Sequence, residues 1–375
     1  MSHPADLEHW ENRTLDYDLE RYPWPQWVLE VIQEVEPKVQ DLSRFHEVVA
    51  AERIVTVTAH TQRAFSRPTF MQRFDAFSEE YGQPLIDGKS YMIKRQATLN
   101  VVIPNQQSMG RLLPFHSGVW YCDGRGQRTI WCALTPCFGT NSMWVVDTEP
   151  SRRISRDTIA NQWNQAQFEL ASLEHARPVE IEPGQCHLFQ QEIIHGNVNN
   201  LTGVTRMAID WNLLIEGEEY RKRLPGGFFR LPGDHRQAEW DSAVARSGLV
   251  EYTGNNTRYD RGIPQLLQRM SMDQYCRERN IGINCVQFEN EYLTWMPILE
   301  KLIRDGVPGI VMGSIWSLPD ADQRRREILE LALATGTEMH FVNEYLVLQD
   351  RSDLDLIETY RTFAVESAGA HSWEN

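Results

Sequence analysis

From about Ser90 to Leu214 the chain is written in short apolar or alternating runs, and that rhythm restricts the segment to a sheet-based fold. The runs are YMIKRQATLNVVIP, TIWCALTPC, SMWVVD, PVEIEPGQCHLF and TRMAIDWNLLI, separated by clusters of Gly, Pro, Asn and Asp. Such text predicts an antiparallel β-sandwich or barrel, interrupted by one helix at about Arg156–Glu174. Ahead of it, residues 1–50 read as helical, with Trp27, Val28, Val31, Ile32, Val35 and Val39 at roughly helical spacing within Pro25–Arg44. Residues 215–247, rich in Gly, Pro and charge, read as a linker. Beyond them strand-like and helix-like segments alternate (LVEYT, then IPQLLQRMSMDQYCRERN; INCVQFE, then TWMPILEKLIRDG) and continue so to the last helix. That alternation predicts an α/β domain with a mainly parallel sheet and helices on both faces. The expected organisation is therefore an α+β domain over 1–214, a linker over 215–247 and an α/β domain over 248–375. With 375 residues the chain is long enough for two domains.

Bulk composition narrows the partners. A net charge of −15 argues against a nucleic-acid polymer or an anionic membrane surface, because phosphate contacts need clustered Lys and Arg. A small anionic substrate needs only one or two local cations. No run of 18 apolar residues is present, so no transmembrane helix is expected. The polar, acidic N-terminus lacks the apolar run of a signal peptide. None of the six cysteines forms a C-x-x-C pair. Buried free thiols and a cytoplasmic location are the expectation.

The chemistry-bearing text is His116-Ser117-Gly118, then His195-Gly196-Asn197, 79 residues after the first His, then Arg206, eleven residues after the second. Two imidazoles and one carboxylate on one face of iron(II) leave three positions open for a chelating keto acid and dioxygen. The usual spelling is H-x-D, a distant His, and an Arg about ten residues later. That Arg pairs bidentately with the far carboxylate of 2-oxoglutarate. A double-stranded β-helix brings these positions to one mouth. Both imidazoles and the Arg are present here; the carboxylate is not. Three readings compete at Gly118: it opens a site that chloride fills, another carboxylate such as Asp123 reaches the metal, or the site has lost its activity. His187 competes as a ligand, although its alternating context favours a core or cavity-wall role.

The segment 90–214 resembles the iron(II)/2-oxoglutarate oxygenase superfamily, and more narrowly the oxygenases of sporadic carbohydrate-biosynthesis clusters. The matching blocks are Leu113-Pro114-Phe115-His116-Ser117-Gly118, Trp131-Cys132-Ala133-Leu134, Asn141-Ser142-Met143-Trp144, Phe189, His195-Gly196-Asn197, Asn199 and Thr205-Arg206. The family carboxylate falls on Gly118, and an H-x-G there marks the superfamily's halogenases. The resemblance implies a jelly-roll (cupin-like) core and iron(II) on His116 and His195. It also implies halide room at Gly118, 2-oxoglutarate on Arg206, and further cofactor contacts at Asn141 and Trp131. The implied cofactors are iron(II), 2-oxoglutarate and chloride, with dioxygen as co-substrate. The implied reaction is halogenation of an unactivated C–H bond in a small sugar-like, nucleoside or nucleotide substrate of natural-product biosynthesis. Trp120, Tyr121, Trp131 and Trp144 could stack on a base, and Arg125 or Arg128 could hold a phosphate. Residues 250–360 are similar to a small uncharacterised family from the same kind of cluster, through Tyr275-Cys276, Asp305-Gly306, Gly309-Ile310-Val311-Met312, Arg324-Arg325-Arg326-Glu327-Ile328 and His340-Phe341. The three arginines read as a solvated helix face, with an anion site or a subunit contact as the alternative. Self-association into a homo-oligomer is compatible with the sequence. Rival readings are a hydroxylase or epimerase with a rearranged triad, a non-catalytic scaffold and, last, a zinc cupin.

Overall fold

Three strand pairings bury one sheet on both faces, and that sheet organises the first half of the molecule. The computed structural model describes residues 12–105, 115–121, 124, 126–217, 229–236, 248–254, 265–289, 296–319 and 321–370. By contacts the chain divides into two compact units, one over 1–161, 166–220 and 226–239, the other over 162–165, 221–225 and 240–375.

The strands of the first unit are β1 (Arg13–Asp16), β2 (Tyr91–Lys94), β3 (Thr98–Val102), β4 (His116–Ser117), β5 (Gln127–Ala133), β6 (Met143–Val146), β7 (Ala176–Pro178), β8 (Gln185–Gln190), β9 (Ile194–Asn197), β10 (Arg206–Ile215) and β11 (Phe229–Arg230). β3 pairs with β10, β10 with β5 and β5 with β8, all antiparallel. The second sheet runs β4-β9-β6-β7, also antiparallel. Numbering β3 to β10 as one to eight, the two orders are 1-8-3-6 and 2-7-4-5. This is the connectivity of a double-stranded β-helix, or jelly roll.

Side-chain alternation explains why β5 is buried along its whole length. Ile130 and Cys132, with Leu188 of β8 and Met207, Ile209 and Trp211 of β10, face a helical layer containing Val28, Val31, Phe74 and Phe77. The residues between them point the other way. Trp131, Ala133, Phe189 and Ala208 pack with Met143 and Val145 of the second sheet inside the roll. Because the strand period is two, Thr129 on β5 and Arg206, Asp210 and Asn212 on β10 share that inner face.

The structure differs from the sequence reading in several places. The helix near the N-terminus covers only Trp24–Gln33, and β1 precedes it on the edge of the large sheet beside β8. The helix expected at 156–174 is two, Thr148–Asn161 and Gln165–Leu173, parted where Gln162 takes φ +51°. Within the stretch read as linker, Phe229–Arg230 extend the large sheet antiparallel to β2.

The second unit holds β12 (Leu249–Gly254), β13 (Ile283–Glu289), β14 (Gly309–Met312), β15 (Glu338–Phe341) and β16 (Leu346–Leu348) in the order β13-β12-β14-β15-β16. The first three pairings are parallel and the last is antiparallel. The three-arginine run is not simply a solvated face. Arg325 is buried on the helix Asp322–Thr335 and holds Glu358, on the helix Arg351–Ala370, through Nε at 2.8 Å and Nη2 at 2.7 Å. A buried fork of this kind clamps two helices. No described helix is long and apolar enough to cross a membrane. Cys132, Cys137, Cys186, Cys276 and Cys285 are buried free thiols, and Cys122 lies outside the described residues.

Candidate functional site

The two histidines of the spaced motif are cross-strand partners. His116 on β4 stands directly opposite His195 on β9, with ring centroids 4.3 Å apart and planes at 54°. His195 Nδ1 lies 2.9 Å from the carbonyl of Ile193. The carbonyl can only accept, so the contact selects the tautomer with hydrogen on Nδ1 and the lone pair on Nε2, the usual way a ligating imidazole is oriented. Phe189 packs on His195 at a centroid distance of 4.8 Å and supplies an apolar wall. Among the described residues no third His, Cys, Asp or Glu joins the pair into a metal-binding group. Asp123, Arg125, Leu113 and Pro114 lie outside the described residues.

Arg206 opens β10 on the inner face, 1% exposed. Its Nε donates to the Asn141 carbonyl at 3.2 Å, and its Nη2 donates to Asn197 Oδ1. The guanidinium carbon lies 5.7 Å from the Trp131 ring centroid. No carboxylate among the described residues forms an ion pair with it. Burial accordingly pulls its pKa down to about 10, opposed by Cys137 and Asp210. A buried cation with only neutral partners is costly, and a two-oxygen anion is the group that would complete it. Trp131 thus sits under the arginine. Asn141 acts through its carbonyl, because its side chain closes its own turn: Oδ1 accepts from Phe138 N at 2.8 Å and Nδ2 donates to the Pro136 carbonyl at 3.2 Å.

The room expected beside Gly118 is filled. A Cβ built on Gly118 would stand 1.6 Å from Oε1 and 2.7 Å from Cδ of Gln191. Gln191 follows β8 in the turn before β9. Its carbonyl accepts from Ser117 Oγ at 2.7 Å and from Val119 N at 3.2 Å, strapping the glycine against it. Gln191 was not singled out from the sequence. The only signal was its place in the turn just before the second His. Asn197 was visible only as part of the His-Gly-Asn block.

The remaining candidates are held by other partners or lie in the core. His187 uses both ring nitrogens, Nε2 with Asn12 Oδ1 at 2.9 Å and Nδ1 with Thr14 Oγ1 at 3.3 Å. Trp120 is buried against Phe168 at 4.5 Å, Trp144 donates to the Gly139 carbonyl at 3.1 Å, and Arg128 is fully buried in β5. Burial pushes the His187 pKa down to about 3, helped by Arg177 and His195. The unfolded chain, titrating near the ordinary value of about 6.5, binds the extra proton between these two values. His187 therefore contributes stability that is full above pH 6.5 and is lost as pH falls toward 3. About 2 kcal/mol of it should be gone by pH 5. His187→Gln keeps hydrogen-bonding capacity but not the titration, so its unfolding temperature should vary less between pH 7.5 and 5 than that of the unaltered chain.

No family model matches the chain, and no curated protein matches it. Among solved structures it is similar to the non-heme monooxygenase ThoJ in its apo form, at 13% identity over 58% of this chain and 80% of that one, with a TM-score of 0.34. It is also similar to EctD from S. alaskensis with 2-oxoglutarate and 5-hydroxyectoine, at 14% identity over 58% and 77%, TM-score 0.34. A third is SnoN, a non-heme alpha-ketoglutarate-dependent epimerase from nogalamycin biosynthesis, at 14% identity over 58% and 87%, TM-score 0.35. Likeness at this level assigns no activity, and the functional reading rests on the residues themselves.

Proposed function

We infer that the chain is a non-haem iron(II), 2-oxoglutarate-dependent oxidoreductase in which His116 and His195 hold the metal and Arg206 holds the distal carboxylate of 2-oxoglutarate. The observation that carries this reading is Arg206, a guanidinium buried inside the roll with no carboxylate partner among the described residues, hydrogen-bonded to Asn197 two residues beyond His195. Bound iron(II) would supply the centre that chelates the keto acid and activates dioxygen. The chain's own groups do the positioning. The Ile193 carbonyl fixes the His195 ring, Phe189 keeps water from one side of it, and Asn197 and the Asn141 carbonyl aim the guanidinium.

At the finer level we read the enzyme as a halogenase, with chloride taking the position that Gly118 leaves without a carboxylate. Its substrate would be a small sugar-like, nucleoside or nucleotide molecule of natural-product biosynthesis. A specific observation favours a second reading, hydroxylation or epimerisation: the Gln191 carboxamide stands in the Gly118 space. Anaerobic addition of iron(II) and 2-oxoglutarate should give a visible charge-transfer band, and its absence would sink the coarser reading. Crystals grown with iron(II), 2-oxoglutarate and bromide separate the finer ones. A bromide anomalous peak on the metal beside Gly118 supports halogenation; a protein oxygen in that position returns the chain to the hydroxylase class.

A further inference from the structure

We propose that Gln191 is the residue that governs access of an anion to the metal's third position: its carboxamide fills the space opened by Gly118, and chloride reaches the metal only by displacing it. The inference rests on the reading of His116 and His195 as metal ligands and deepens it. Two observations carry it. The first is the overlap, since Gln191 Oε1 lies 1.6 Å from where the stem of any residue-118 side chain would begin. An aspartate in an H-x-D motif would grow from that point.

The second is how the carboxamide is held. Gln191 Nε2 donates to Thr129 Oγ1 at 2.6 Å, and Asn212 Nδ2 donates to the same oxygen at 3.0 Å. Thr129 and Asn212 are register partners on β5 and β10, so the anchor belongs to the rigid sheet. The carboxamide oxygen Oε1 is the atom that stands in the Gly118 space, and it repels chloride, because both are electron-rich. Halide entry therefore requires the carboxamide to leave or to turn its amino group inward, which breaks the contact with Thr129. Gln191 is thus a gating residue rather than a catalytic one.

The overlap also bears on the obvious glycine swap. Gly118→Asp rebuilds a carboxylate triad only if the Gln191 carboxamide swings out of the space it fills. Combining Gly118→Asp with Gln191→Ala removes that requirement.

The test uses the full chain loaded with cobalt(II), whose visible d–d bands report the metal's ligands without needing 2-oxoglutarate. Chloride is titrated into the unaltered protein and into Gln191→Ala, Gln191→Glu and Thr129→Val. Gln191→Ala should bind chloride about tenfold more tightly, the scale of one broken hydrogen bond. Thr129→Val, which loosens the anchor and keeps the gate's side chain, should shift affinity the same way by less. Gln191→Glu brings its own carboxylate and should make the bands insensitive to chloride. Equal chloride affinities in the unaltered protein, Gln191→Ala and Thr129→Val would overturn the proposal, and so would a protein that takes up no cobalt(II). A Gln191-dependent chloride response in a chain that shows no 2-oxoglutarate band would keep the gate and remove the oxygenase reading.

Discussion

Arg206→Met should lose 2-oxoglutarate binding by about 30-fold or more while leaving the unliganded fold close to its original stability. The two halves of that expectation come from one fact. Arg206 is buried and its direct contacts are neutral, the Asn141 carbonyl, Asn197 Oδ1 and the Trp131 face. Without an anion, desolvation of the guanidinium works against the fold, at a cost of several kcal/mol per buried ion. Two hydrogen bonds return part of it, each on the order of 1 kcal/mol. Methionine of similar length removes the desolvation cost but strands two acceptors, so the apo balance changes little. With 2-oxoglutarate the balance is different. The fork then gains a carboxylate in a water-poor site, and removing one partner of such a pair costs at least about 2 kcal/mol. Thermal unfolding with and without 2-oxoglutarate reads both halves. Ligand in hundredfold excess over its dissociation constant should stabilise the unaltered chain by about 2.7 kcal/mol and the variant by about 0.9 kcal/mol or less. Equal stabilisation of both would place the anchor elsewhere.

The fold was legible in the sequence where side-chain period and layer agree. Alternation across TIWCALTPC and TRMAIDWNLLI exposed β5 and β10, because residues 130 and 132 and their neighbours at 131 and 133 pack into different layers. In the second unit each strand–helix alternation reappears near its expected bounds. The strands that carry the histidines had no such signal. β4 is two residues long and β9 four, too short for any period. They were found through spacing and ligand chemistry. What stayed hidden was what long-range approach decides. Gln191 lies 73 residues beyond Gly118, and nothing local in either segment says that one fills the space beside the other. Arg325 was hidden for a related reason: a charge run reads as solvated until a second helix brings Glu358 to it.

His116→Ala and His195→Ala should each cut metal affinity by more than about 100-fold, beyond the 10- to 100-fold typical of losing an outer-sphere partner. The geometry makes the two inseparable. The rings are cross-strand neighbours with centroids 4.3 Å apart, and among the described residues nothing else offers a His, Cys, Asp or Glu to take over. One imidazole alone cannot hold a divalent ion against water, so the double variant should be little worse than either single one. His187→Gln is the control. His187 lies inside the same roll, but its two nitrogens face Asn12 and Thr14, so its loss should leave metal affinity unchanged. Asp123→Ala separates the readings of the third position. A further drop in affinity would mean that the loop after Gly118 supplies a carboxylate. An unchanged affinity would leave that position to Gln191 and whatever anion displaces it. Titration with cobalt(II) or iron(II) under anaerobic conditions measures all five variants on one scale. Retention of tight binding in either single histidine variant would dismantle the metal centre as drawn, because no second arrangement of described side chains replaces it.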